Sequence, residues 1–340
     1  DWMRDAIDNN DRQPYKEQTM ANNFDSNIKR NDLGQALVPD EISQEIIQTM
    51  PEKSVMLTRA KRMTMSARKK TQPVLATLPE AYWVSEGGLK ETTKSGWEDV
   101  NITAEELAVL VPIPDSVRED ASINLFETMK PLIAEAFGKK IDQAAIFGVD
   151  KPTTWGDDIL SGAKTAKNTI AQGTGKDLAA DVAALGKMLA KEGYALNGFA
   201  SQPGLNWELT ELRDTNNRPI YTPNLTDKQP ANLYGYPCNE VLNGSWDPTK
   251  AVLLAADWSK FIVGIRQDIT YKVFDQGVIS NATGAIVYNA MQQDSQIMRV
   301  VMRVGFQVAN PVTRVAKKGT QYPAGFILPP TGGSPSPESH

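Results

Sequence analysis

Three hundred and forty residues, 41% of them hydrophobic and 23% charged, supply apolar material for two or three compact regions. A net charge of −5 excludes a strongly basic nucleic-acid binder, because no overall positive field recruits phosphate. The single cysteine, Cys238, and the single histidine, His340, exclude a disulfide framework, a Ser-His or Cys-His nucleophile and a His-rich zinc site within a folded domain.

Along the chain, residues 1 to about 36 are polar and rich in Asn and Asp, and they read as an extended or poorly ordered arm. Pro39–Met50 has Ile42, Ile46 and Ile47 at helical spacing, with Pro51 as a stop. Arg59–Lys70 ("RAKRMTMSARKK") carries six cations and no acid, which suits either a solvated strand face or a strip facing an acidic partner. A long hairpin follows, with an outgoing arm over 73–84, a tip over 85–96 and a return over 97–114. Along the return, Val100 and Ile102 alternate with polar residues, then Leu107, Val109, Val111 and Ile113 alternate in the opposite parity. The switch at Glu105-Glu106 predicts a bulge.

Asn124 and Glu127 have capping-box spacing, and Leu125, Met129, Leu132, Ile133, Phe137 and Ile141 keep a helical period to Phe147, before Gly148. A separate short helical turn is expected at Ser116–Glu119, and Pro131 lies inside the long helix as a predicted bending point. Asp177–Glu192 is a clean amphipathic helix striped by Leu178, Val182, Leu185 and Leu189, and a further helix covers about 205–212. The runs "CNEVL", "AVLLA", "KFIVGI" and "ITYKVF" read as short strands, and Gln296–Ala309 as one long strand ended by Asn310-Pro311. The last twenty residues read as a Pro/Gly/Ser tail. Strands, a long helix, a mixed unit and a return strand make an α+β fold without βαβ alternation.

Candidate catalytic chemistry is thin. "EGGLKETTKSG" lacks the Gly-Lys-Ser/Thr step of a phosphate-binding loop, and in "GTGKD" Asp177 replaces the required hydroxyl and reads as a helix N-cap. Glu105 and Glu106, adjacent on a strand, point to opposite faces, and Asp157/Asp158 sit in a loop that reads as a solvated turn. No cofactor, metal or catalytic residue is expected. No apolar run is long enough to span a bilayer. The hairpin tip is more informative. Only Leu89 within it is clearly apolar, yet Tyr82, Trp83 and Trp97 flank it, which suits a ribbon lying along another molecule.

Taken in order, these landmarks resemble the major capsid proteins of tailed bacteriophages, the Hong Kong 97 fold. The stretch "AYWVSEGGLKETTKSGWEDVNITAEELAVLVPIPDSVREDA" is similar to the family's extended loop, and "LFETMKPLIAEAFGKKIDQAAIFG" to its spine helix. "KPTTWGDDIL", "LRDTNNRPIYTPN", "LYGYPCNEV" and "MRVGFQVANPVTRV" match later landmarks. The resemblance implies an N-terminal arm over 1–55, an extended-loop hairpin over 56–111 and a peripheral domain with its spine helix over 112–150. An axial domain over 151–285, return strands over 286–320 and a flexible tail over 321–340 complete the organisation.

It further implies a non-enzymatic shell subunit that forms hexamers and pentamers around double-stranded DNA, contacted without sequence readout. Portal, decoration or scaffolding proteins would be partners, and the virion its location after assembly in the host cytoplasm. The start at Asp1 is compatible with proteolytic processing. Inter-subunit contacts are expected from Arg59, Lys61, Arg62, Arg68, Lys69 and Lys70 of the basic strip, with the acids Glu98, Glu105 and Glu106 as candidates for pairing. Tyr82, Trp83, Lys90, Lys94 and Trp97 are expected to make further contacts, with Pro131 as a hinge. Some family members crosslink a loop lysine to an asparagine, but Asp294–Arg303 has neither Asn nor Glu, so no crosslink is expected. An encapsulin-type compartment shares the same fold, and a soluble enzyme is the remote alternative.

Overall fold

The computed structural model describes residues 53–86, 88–90, 92–121, 124–175, 177–211, 232–315 and 321–330. The polar arm, the helix at Pro39–Met50 and the landmark "LRDTNNRPIYTPN" lie outside them. The described chain opens with a short helix α1 (Val55–Arg59), then β1 (Lys61–Thr64), β2 (Lys69–Thr77), β3 (Gly96–Thr103) and β4 (Glu105–Pro114). Two helices follow, α2 (Asp115–Asp120) and the long α3 (Leu125–Phe147). Next come α4 (Ile159–Thr165), β5 (Thr169–Ala171), α5 (Leu178–Lys191), β6 (Gly198–Ser201) and α6 (Leu205–Glu211). The remaining elements are β7 (Asn232–Leu233), β8 (Tyr236–Glu240), β9 (Leu253–Ala256), β10 (Phe261–Phe274), β11 (Val278–Ser280), β12 (Ile286–Asn289), β13 (Ser295–Val308) and β14 (Ala324–Leu328).

The described residues divide into two compact units, one holding Val109–Phe126 and Tyr271–Val300, the other 53–108, 127–270 and 301–330. In the larger unit a six-stranded sheet runs β5-β14-β9-β6-β8-β7. Helix α5 lays its apolar stripe on it: Val182, Leu185 and Leu189 pack with Phe199, Leu253 and Ile327, and with Leu205 and Leu209 of α6. Asp177 caps α5 by accepting the Ala180 N–H, as its spacing predicts. Burial of each such leucine stabilises by about 1.5–3 kcal/mol. In the smaller unit the antiparallel hairpin β11–β12 closes over Ile279, Tyr288, Ala290 and Ile297. A boundary between residues 285 and 286 would divide this hairpin, so the axial and return-strand segments do not separate there.

Helix α3 spans 23 residues, about 35 Å at 1.5 Å per residue, and is helical throughout, Pro131 included. Gly148 takes φ +67° directly after it, a left-handed stop that its sequence position predicts. On β13, Met298, Val300, Met302, Val304 and Phe306 are all buried, as their alternation predicts. A four-stranded sheet orders β1-β10-β13-β4.

Three expectations need correction. The runs "KFIVGI" and "ITYKVF" are one continuous strand, β10, because the Arg266-Gln267-Asp268 between them holds no Gly or Pro to break it. The hairpin's outgoing arm pairs over 69–77 rather than 73–84. Residues 321–330 are no tail, since β14 lies inside the six-stranded sheet, parallel to β5 and antiparallel to β9. Ala324, Phe326 and Ile327 are fully buried. The strand is held at its start by Gln321, whose amide donates to the Pro311 carbonyl (2.7 Å), and by the Tyr322 N–H donating to Glu192 Oε2 (3.0 Å).

Candidate subunit-contact surface

The ribbon β2–β3 pairs from Lys69↔Thr103 to Thr77↔Gly96, with an irregularity between Leu75 and Thr77. Beyond it the described residues between 78 and 95 form no strand, because the Gly, Ser and Thr residues there offer no alternating apolar face. It is ordered by local polar contacts: the Glu80 N–H donates to Thr93 Oγ1 (2.9 Å) and the Gly88 N–H to the Ser85 carbonyl (2.9 Å). Tyr82 donates to Glu80 Oε2 (3.2 Å), and this hydrogen bond, with the carboxylate charge, raises the phenol pKa. Against this polar frame the large apolar groups point away from the chain. Trp83 is 104% exposed, Leu89 95%, Trp97 66% and Tyr82 50%. The described residues cover none of these side chains well.

The ribbon's root is braced by charge. The predicted parity switch between β3 and β4 falls at Ala104, whose N–H donates to the Arg68 carbonyl. Glu105 accepts two hydrogen bonds from Arg68 Nη2 (2.9 and 3.1 Å) and one from Thr154 Oγ1 (2.9 Å). The Arg68 hydrogen bond holds the Glu105 carboxyl below the usual range. Its neighbour Glu106 accepts instead from Arg303 Nε (2.9 Å) and Nη2 (2.7 Å), so the adjacent carboxylates diverge as strand geometry requires.

The loop before α5 answers the phosphate question. The Gly173 and Gly175 N–H groups, of the kind a phosphate would use, donate to Asp181 Oδ2 (2.8 Å) and Oδ1 (2.7 Å). Asp181 is itself buried, so the loop is filled by its own helix. Asp158 is not a solvated turn residue, since it is buried and caps α4 by accepting the Ser161 N–H. Among the described residues no group of three or more His, Cys, Asp or Glu could hold a metal ion. None of their helices is long and apolar enough to cross a membrane.

The model of the phage capsid family matches residues 34–315. The chain belongs to the phage capsid family. It is 28% identical over 287 residues to the major capsid protein of Staphylococcus phage 80alpha, covering 84% of this chain and 85% of that one. A solved structure from Microbacterium phage Oxtober96 superposes with TM-score 0.77 at 34% identity, covering 89% of this chain and 100% of the other. One from Mycobacterium phage Cain gives 0.76 at 29%, covering 91% and 100%. The α+β fold is therefore the Hong Kong 97-type fold that the sequence landmarks implied.

Within this capsid-family chain the expected contact residues fall into two groups. Arg68 pairs with Glu105 in its own chain, Arg59 donates to Asn239 Oδ1 (2.5 Å), Arg62 to the Leu57 carbonyl (2.5 Å) and Lys70 to the Thr64 carbonyl (3.0 Å). These four make hydrogen bonds within their own chain. Lys61, Lys69, Lys90 and Lys94 are exposed, as are the ribbon's aromatics and Glu98. Sequence reasoning missed Thr154, Arg303 and Asp181. For Asp181 a signal existed, because an acid on the apolar stripe of α5, one place before Val182, needs a buried donor.

Proposed function

We propose that this chain is the major capsid protein of a tailed phage. In this reading it assembles through hexamers and pentamers into a closed icosahedral or prolate shell around double-stranded DNA. The observation that carries the reading is the ribbon tip. Trp83 and Leu89 stand almost wholly in solvent on a segment that cannot bury them. A neighbouring copy would cover them, as head-to-tail contacts that close into rings require. The net charge of −5 suits contact with packaged DNA through local cations rather than a general basic surface. Portal, scaffolding or decoration proteins would complete the virion after assembly in the host cytoplasm. Pro131, which brings no N–H to the ladder of α3, would be the bending point as the shell expands. Electron microscopy of the purified protein tests the proposal. Closed shells built on five- and six-fold rings are expected, and persistent small oligomers under assembly conditions would contradict it.

A further inference from the structure

Asp142 lies on α3 with no exposed surface, and its carboxylate is saturated by donors from distant parts of the chain. Oδ1 accepts the Ser54 hydroxyl (2.6 Å) and the Met56 N–H (3.0 Å), while Oδ2 accepts the Val55 N–H (3.1 Å) and the Asn243 amide (2.9 Å). Among the described residues no ion pair joins this set. Ser54 also accepts the Leu57 N–H, so one hydroxyl caps α1 and fastens it to α3. One turn before Asp142, on the same face of the helix, stands Gly138. A β-carbon there would lie 3.0 Å from Ser54 Cβ, so the helix is notched where α1 enters. Val55 and Met56 are buried in consequence.

The position of α1 gives this contact its meaning. Only Ala60 separates α1 from β1, an edge strand held parallel to β10 by the four pairs Lys61↔Ile262 to Thr64↔Ile265. The chain then turns directly into β2, the first strand of the ribbon. Four paired residues at a sheet edge are a weak fixture on their own. The Ser54–Asp142 contact, 88 residues apart in sequence, ties the segment to α3, beside the Arg59–Asn239 hydrogen bond and the burial of Met65 at its other end.

We propose that Asp142, seated in the Gly138 notch, is a latch that positions the ribbon. It fixes the segment Ser54–Thr64 to the long helix, and its opening frees that segment without unfolding the rest of the larger unit. This stands independently of shell assembly, because every contact lies within one chain.

Hydrogen exchange read by mass spectrometry on the full chain tests it. Asp142→Asn keeps the shape but turns an amide N–H₂ toward groups that donate, so it opens the latch and leaves no cavity. Amides of 54–64 should then exchange about tenfold faster or more, with α5 and β14 changed less than about twofold. No change at 54–64 would overturn the proposal, and so would an equal acceleration through the six-stranded sheet, which marks a general core defect. Should that variant fail to fold, Asn243→Ala removes one of the four contacts and leaves the Ser54 cap of α1 in place. The acceleration should then be about threefold and confined to the same segment, with a uniform or absent change again overturning the latch.

Discussion

The six-stranded sheet and the ribbon are both β-structure in one chain, and they treat solvent in opposite ways. In the sheet, β9 and β14 place Leu253–Ala256 and residues 324–327 wholly inside, under α5 on one face. The ribbon is a two-stranded sheet whose root buries Val74 and Ile102, while Trp83 and Leu89 at its tip stand almost wholly in solvent. A region that buries its own apolar groups draws its hydrophobic stabilisation from within the chain. One that exposes Trp83, Leu89 and Trp97 leaves its largest apolar groups in solvent, where the proposed shell would place a neighbouring copy. The difference separates residues that hold the chain together from those that the proposed shell would use to join copies.

Substitutions can break or sharpen that separation. The largest effect belongs to the sheet: Leu185→Ala, at a fully buried position, should cost about 2–5 kcal/mol in denaturant unfolding. A loss well under 1 kcal/mol would show that the sheet is not the stable half. A second effect is chemical. Burial pushes the Cys238 thiol up to about 11 from the ordinary 9.0. The thiol should therefore resist iodoacetamide at pH 8 in the folded protein and react promptly after unfolding. Because the folded value is the higher one, the stability linked to this thiol is intact below pH 9 and lost as pH rises toward 11.

The ribbon root should respond less. Arg303→Ala removes a partly exposed pair with Glu106, and should cost about 0–1 kcal/mol, falling with added salt. Arg68→Ala should raise the titration of Glu105 toward the ordinary carboxylate range, followed by NMR. With Arg68 present, the depressed value means that the pair's contribution holds above the unfolded pKa and is lost as pH falls through the folded one. An unmoved titration would show that Arg68 does not set the environment of Glu105.

Much of this was legible in the sequence, and the failures have physical causes. The alternation of Met298 to Phe306 and the stripe Leu178–Val182–Leu185–Leu189 report local periods, so β13 and α5 were visible. β14 was not, because "AGFIL" is five residues bracketed by Pro323 and Pro329, and its partners β5 and β9 are remote in sequence. The phrase still carried a signal, as an apolar run between prolines reads better as a short buried strand than as a tail. Asp142 was invisible for a similar reason. A lone acid on a helix reads as solvated, and its donors Ser54 and Asn243 lie 88 and 101 residues away. At the surface, the ribbon's aromatics could be picked out by composition, whereas the pairing of Arg68 with Glu105 within one chain required the register of β2 on β3.

The central claim is that the ribbon tip contributes to assembly and almost nothing to the fold, and one paired measurement on Trp83→Ser combined with Leu89→Ser decides it. Chain unfolding in urea should change by less than about 0.5 kcal/mol, while closed shells disappear from electron micrographs. Shells that form as in the parent protein, or a chain destabilised as strongly as by Leu185→Ala, would contradict it.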